Sequence, residues 1–252
     1  MMRIARTCST LAAAAGLLVA VSAHADLTAN TGATSDYVWR GTTQTESGAA
    51  ISGGIDYSHS SGFYVGTWTS NVSFPSSSTA SGACTASLNC TATVTVPSSI
   101  KAQEVDLYGG FSKTFKGVGI DLGVIKYLYP QSAGLNWTEF SAGLSYGPFS
   151  AAGHFTNDVF GSRTNAQYYE VAVSYPLPLG KGLTVGAHIG RYHFDNPTAA
   201  TFDSYTDFNA SLTKSVGNLG DFAITVSDTT LNSSSVDGKP KLFVNWTKSF
   251  DL

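Results

Sequence analysis

A chain of 252 residues with 14 Lys and Arg against 17 Asp and Glu carries a formal charge of −3, an acidic balance that excludes a nucleic-acid binder, which needs a basic face. Only 12% of the residues are charged, about half the globular norm, yet after residue 25 no run of ~18 apolar residues exists to cross a bilayer as a helix. Aromatic residues at 12%, 26 glycines and a mean hydropathy of +0.03 argue against disorder and fit strands that are apolar on alternate residues only.

Taken in order, residues 1–25 read as a signal peptide. Arg3 and Arg6 precede an apolar run over 11–21, and Ala23-His24-Ala25 is a small-x-small cleavage site. Cys8 falls inside this segment and receives no role. The next signal is Thr34-Ser35-Asp36-Tyr37-Val38-Trp39-Arg40-Gly41-Thr42-Thr43-Gln44-Thr45. Strand alternation here puts Asp36, Val38 and Arg40 on one side and Ser35, Tyr37 and Trp39 on the other, with the aromatics facing a membrane–water boundary.

Further strands are predicted over 51–57, 63–72, 103–111, 118–127, 137–146, 149–156, 167–175, 183–192, 204–213, 222–227 and 241–250. With the motif strand they make twelve. A polar segment from 73 to about 100 reads as a long loop, functional or disordered. Within it, Cys84 and Cys90 are the two cysteines left after the leader. No His, Asp or Glu lies between 76 and 99 to complete a metal site, so an exported chain predicts a disulfide there.

The connections alternate in length. Polar ones near 43–49, 73–101, 128–135, 157–165, 193–203 and 228–239 fall on one side, and short turns fall on the other. Short periplasmic turns and longer extracellular loops are the habit of bacterial outer-membrane barrels. On the apolar side of the strands, Tyr57, Phe111, Tyr146, Phe149, Tyr175, Phe222 and Phe250 all lie at the short-turn end and predict an aromatic girdle at one interface. The last strand, with Leu242, Val244, Trp246 and Phe250 on one side, has the form of a barrel-assembly signal, although Asp251 and Leu252 follow the aromatic and Lys248 interrupts the apolar side.

The stretches Ser35-Asp36-Tyr37-Val38-Trp39-Arg40-Gly41, Gly62-Phe63-Tyr64-Val65-Gly66-Thr67-Trp68-Thr69-Ser70-Asn71, Glu104-Val105-Asp106-Leu107-Tyr108-Gly109-Gly110 and Lys248-Ser249-Phe250 resemble the TorF family, whose members are assigned as outer-membrane porins by prediction. The resemblance implies a β-barrel and a pore, and it names no substrate.

The expected molecule is therefore all-β: a leader over 1–25, then a single antiparallel transmembrane barrel of about twelve strands over 26–252 in the bacterial outer membrane. With the apolar sides toward lipid, Asp36, Asp56, Glu104, Asp106, Asp121, Glu139, Glu170 and Asp207 point into a lumen together with His154, His188 and Arg40, the clearest inward base. Such an interior favours small cations.

The reading is a porin-like channel for passive diffusion of small hydrophilic solutes, with no cofactor, metal or catalytic site. Its partners are outer-membrane lipid and lipopolysaccharide, the barrel-assembly machinery during biogenesis, and the solutes. Two alternatives remain open. One is a plugged structural or adhesive barrel, since inward tyrosines such as Tyr108, Tyr168 and Tyr192 could fill twelve strands. The other is an outer-membrane lipid hydrolase built on His154 or His188 with Glu170 and a nearby serine, for which no Gly-x-Ser-x-Gly elbow exists.

Overall fold

The computed structural model describes residues 26–83, 91–178, 182–195 and 203–252, with the side chains of all of these except 76–83 and 91–98. The predicted leader and the Cys84–Cys90 pair lie outside the described residues.

Alternation of small or polar residues with apolar ones produces β1 (Asp26–Thr34), β4 (Ala50–Ser58), β5 (Phe63–Ala83), β6 (Thr91–Phe115), β7 (Val118–Leu128), β8 (Trp137–Tyr146), β9 (Phe149–Thr156), β10 (Ala166–Pro176), β11 (Leu183–Phe194), β12 (Tyr205–Ser215), β13 (Asp221–Thr229) and β14 (Lys241–Asp251). Every neighbour pair is antiparallel, and β1 closes the sheet by pairing with both β4 and β14. The result is a closed twelve-stranded barrel whose wall has no free edge. Closure satisfies every strand ladder internally, as a bilayer demands of a spanning sheet.

The outer surface carries the predicted apolar sides. Ile51, Leu122, Leu144, Val171, Ile224 and Leu242 are 53–73% exposed. A continuous belt of that kind is intolerable on a water-soluble monomer and favourable against acyl chains. Outward aromatics mark both margins of the belt. Tyr146, Phe149 and Tyr175 stand at the short-turn end, and Phe140, Phe155 and Tyr169 stand six residues away on the same three strands, toward the long loops. Six residues span about 20 Å of strand.

Inside, glycines make room for tyrosines. Gly66 lies opposite Tyr108 and Gly110 opposite Tyr64 across the β5–β6 ladder. A Cβ on Gly66 would meet the Tyr108 ring at 2.6 Å, and one on Gly110 would meet the Tyr64 hydroxyl at 2.5 Å. Each ring therefore lies flat over its neighbour's backbone.

Two expectations are corrected. First, the motif at 34–45 is not a wall strand. The wall begins upstream with β1, whose Asp26-Leu27-Thr28-Ala29-Asn30-Thr31-Gly32-Ala33-Thr34 alternates too weakly to be read, and the motif folds inward as the hairpin β2 (Val38–Trp39) and β3 (Thr42–Thr43). The chain reverses there because Arg40 and Gly41 both take positive φ, 47° and 78°, which is the geometry of a two-residue type I′ turn. Tyr37 and Trp39, expected at the lipid boundary, consequently point into the barrel.

Second, residues 73–100 are not one long loop. β5 and β6 continue in register from Val72 opposite Ala102 to Ala83 opposite Thr91, a two-stranded ribbon about 35 Å long.

Candidate functional site

The hairpin lies across the lumen near the long-loop end. Asp36 fixes its base by accepting from the hydroxyls of Thr43 (2.6 Å) and Thr45 (3.2 Å). The wall then grips its backbone from several sides. Tyr205 Oη on β12 donates to the Arg40 carbonyl (2.9 Å), Lys241 Nζ on β14 donates to the Gly41 carbonyl (3.0 Å), and the Ser73 amide on β5 donates to the Gln44 carbonyl (2.7 Å). The Thr43 amide donates to Asp237 in the loop before β14 (2.8 Å).

At the tip, the Arg40 guanidinium forks onto Glu139 of β8, with Nη1 and Nη2 at 2.9 and 2.8 Å from the two carboxylate oxygens. Its central carbon lies 4.2 Å from the Tyr168 ring, 4.3 Å from Trp39 and 5.0 Å from Tyr192. Both charged side chains are 2% exposed.

From Glu139 a chain of carboxylates and imidazoles runs along the wall. His154 Nδ1 on β9 faces Glu139 at 3.2 Å and its Nε2 faces Glu170 of β10 at 3.1 Å. His188 on β11 continues it, with Nε2 2.9 Å from Glu170 and Nδ1 3.3 Å from Asp207 of β12. Asp207 accepts from the Tyr168 hydroxyl at 3.0 Å. The Asn209 amide also reaches His188 Nδ1, at 3.1 Å.

Around this polar chain sits the buried cluster of Trp39, Tyr127, Tyr129, Trp137, Tyr168, Tyr192 and Tyr205, joined by Val72, Val159, Ala166 and Phe194. Tyr127 and Trp137 stack at 4.3 Å, and Trp39 makes edge contacts with both. At this level side chains of the hairpin and of the wall pack against one another inside the barrel.

The structure therefore brings Arg40, Glu139, His154, Glu170, His188 and Asp207 into one constellation. Of the remaining inward acids, Glu104, Asp121 and Asp56 have hydroxyl or amide donors of their own. Glu104 accepts from Tyr37 (2.9 Å) and Tyr129 (2.7 Å), Asp121 from Tyr64 (3.2 Å), and Asp56 from Asn30 (3.0 Å) and from Tyr108. Asp106 is buried with one carboxylate oxygen lacking a partner among the described residues. Asp36 belongs to the hairpin rather than to the wall.

The girdle residues Tyr57, Tyr146, Phe149, Tyr175, Phe222 and Phe250 stand outward at 41–67% exposure, and Phe111 is partly covered by the Phe63 ring. Sequence reasoning did not single out Trp39, Tyr127, Trp137 or Lys241 as lumen residues. Parity marks the last three, since each is odd-numbered on a strand whose lipid side is even. Trp39 carried no such signal, because its strand was assigned to the wall.

A closed twelve-stranded barrel with an apolar outside and a polar inside defines the fold class of the outer-membrane porins. The solved KdgM porin has this fold at a TM-score of 0.52 and 7% identity, matching 89% of this chain and 99% of its own. The NanC porin does so at 0.52 and 12%, over 90% of this chain and 100% of its own. No curated protein matches the sequence. The chain belongs to the family described as bacterial protein of unknown function (Gcw_chp), whose model matches residues 19–250.

Proposed function

We propose that this protein is an outer-membrane, porin-like channel for passive diffusion of small hydrophilic solutes, narrowed by the β2–β3 hairpin. The observation that carries this reading is that the segment 35–49, drawn across the lumen, is a hairpin tethered at its two ends and gripped by side chains rather than a strand of the wall. Wall aromatics such as Tyr127, Trp137, Tyr168 and Tyr192 narrow the lumen beside it, and withdrawal of the hairpin widens the passage without disturbing a strand. The resemblance to the TorF family supports the same reading.

The interior charge favours small cations. Arg40 offsets one of the eight inward carboxylates, Glu139, while Lys241 pairs with Asp237 outside that set, and tyrosine hydroxyls hydrogen-bond Glu104, Asp121, Asp56 and Asp207 without neutralising them. The buried aromatic cluster favours a second reading, a permanently plugged structural barrel. A lipid hydrolase is not proposed. His154 lies between Glu139 and Glu170, His188 meets Glu170, Tyr168 and Asn209, and among the described residues no serine hydroxyl is bonded to either ring, as a nucleophile's would be.

Planar-bilayer recording of the purified protein in a salt gradient decides between the two. A channel gives discrete unitary steps with a reversal potential on the cation side, and a plugged barrel gives none.

A further inference from the structure

We propose that the wall residues Glu139, Tyr168 and Tyr192 form a receptor for guanidinium-bearing solutes, held in the described state by the protein's own Arg40. This assignment rests on the channel reading, since it names the class of solute the lumen recognises. The cage takes a planar cation in the manner such a cation needs. A carboxylate presents two oxygens to a forked donor, at 2.8 and 2.9 Å, and ring faces lie 4.2 and 5.0 Å from the guanidinium carbon.

Three observations distinguish a receptor from a strut. The cage walls come from β8, β10 and β11, so they keep their places when the hairpin leaves, and only Trp39 is lost with it. Glu139 is 2% exposed and backed by His154, and departure of Arg40 leaves this carboxylate without its cation beside the Tyr168 and Tyr192 ring faces, where a planar cation finds both kinds of partner. Arg40 itself occupies the first position of a type I′ turn at φ 47°, where asparagine or glycine folds with less strain. The side chain, not the turn, accounts for an arginine there. A solute that carries a guanidinium competes for the same seat and releases the hairpin. The tether gives Arg40 a high effective concentration, so the wild-type protein responds to such solutes only weakly and removal of Arg40 unmasks the site.

The test uses the full-length protein in detergent with Arg40→Asn, which keeps a turn-forming residue, and with Arg40→Lys as a second variant in case the first does not reach the heat-modifiable barrel form on gels. Methylguanidinium is titrated against methylammonium, read by tryptophan fluorescence, since Trp39 borders the cage and Trp137 packs against Trp39, and by calorimetry. The expected result is saturable binding of methylguanidinium roughly tenfold tighter than that of methylammonium, lost when Glu139→Gln is added. Equal responses to the two cations, or binding indifferent to Glu139→Gln, overturn the proposal. Bilayer recording of the same samples separates the two readings. Selective binding by a barrel that never conducts removes the channel and leaves the cage. Conduction without selective binding removes the cage and leaves the channel.

Discussion

Arg40 and Gly41 hold the constriction together, and each makes a distinct prediction. Removing one member of a buried, hydrogen-bonded ion pair costs roughly 3–5 kcal/mol where the partner stays buried. Here the hairpin can leave and let water reach Glu139, so the loss falls on hairpin closure and not on the barrel. Glu139→Gln should therefore collapse hydrogen-exchange protection of the amides at 38–43 while those of β8 to β12 keep theirs. Uniform loss of protection would show that the pair holds the wall.

Gly41 has φ +78°, and a Cβ there would lie 2.5 Å from Thr229 Cγ2 and 2.7 Å from Asp207 Cβ. Gly41→Ala should displace the hairpin through strain and overlap together, raising the open-channel fraction in bilayer records. An unchanged record would mean that the turn does not set the constriction. The ion pair was half legible in the sequence: parity placed Glu139 inward and singled out Arg40 as an inward base, but nothing in the spacing joined residues 99 positions apart.

The elements show why some readings succeeded and others did not. β7 to β14 were legible because their outward residues are large and apolar, as in Val118-Gly119-Ile120-Asp121-Leu122-Gly123-Val124, where one face alone can meet lipid. β1 was not, because Leu27 is its sole large apolar residue. The hairpin was misread because alternation over Asp36–Arg40 fits a two-residue β-arm as well as a long strand, and the deciding signal, Arg40-Gly41 in the left-handed region, lies outside the usual Asn-Gly pattern.

The ribbon was misread as loop because Ser and Thr dominate it. Ribbon pairing brings its arms together at Ala83 and Thr91, and the expected Cys84–Cys90 bridge is checked by mass spectrometry of unreduced peptide. A mass two hydrogens below the dithiol supports it, and alkylatable thiols in exported protein refute it. For orientation, cysteines placed at Asn165 and Asn232 should label from outside intact cells while one at Asn218 stays protected. The reverse pattern would invert the barrel.

At the scale of the whole molecule, the outward belt is the feature that only a bilayer explains. Leu144 is 55% exposed between Phe140 and Tyr146, a position where arginine would be nearly harmless in water. In lipid near the midplane, Leu144→Arg should cost roughly 2–4 kcal/mol, measured as folding free energy by urea titration into phospholipid vesicles. A change within a few tenths of a kcal/mol would argue that this face does not meet acyl chains.

The central claim is that a polar passage exists behind the hairpin. Its most direct measurement is single-channel conductance in planar bilayers of the wild-type protein beside a variant in which residues 37–45 are replaced by a short Gly/Ser linker. The account predicts small or intermittent unitary currents for the wild type, and a steady, several-fold larger, cation-preferring conductance for the variant. A variant that inserts as a folded barrel and conducts no better than the wild type would contradict it.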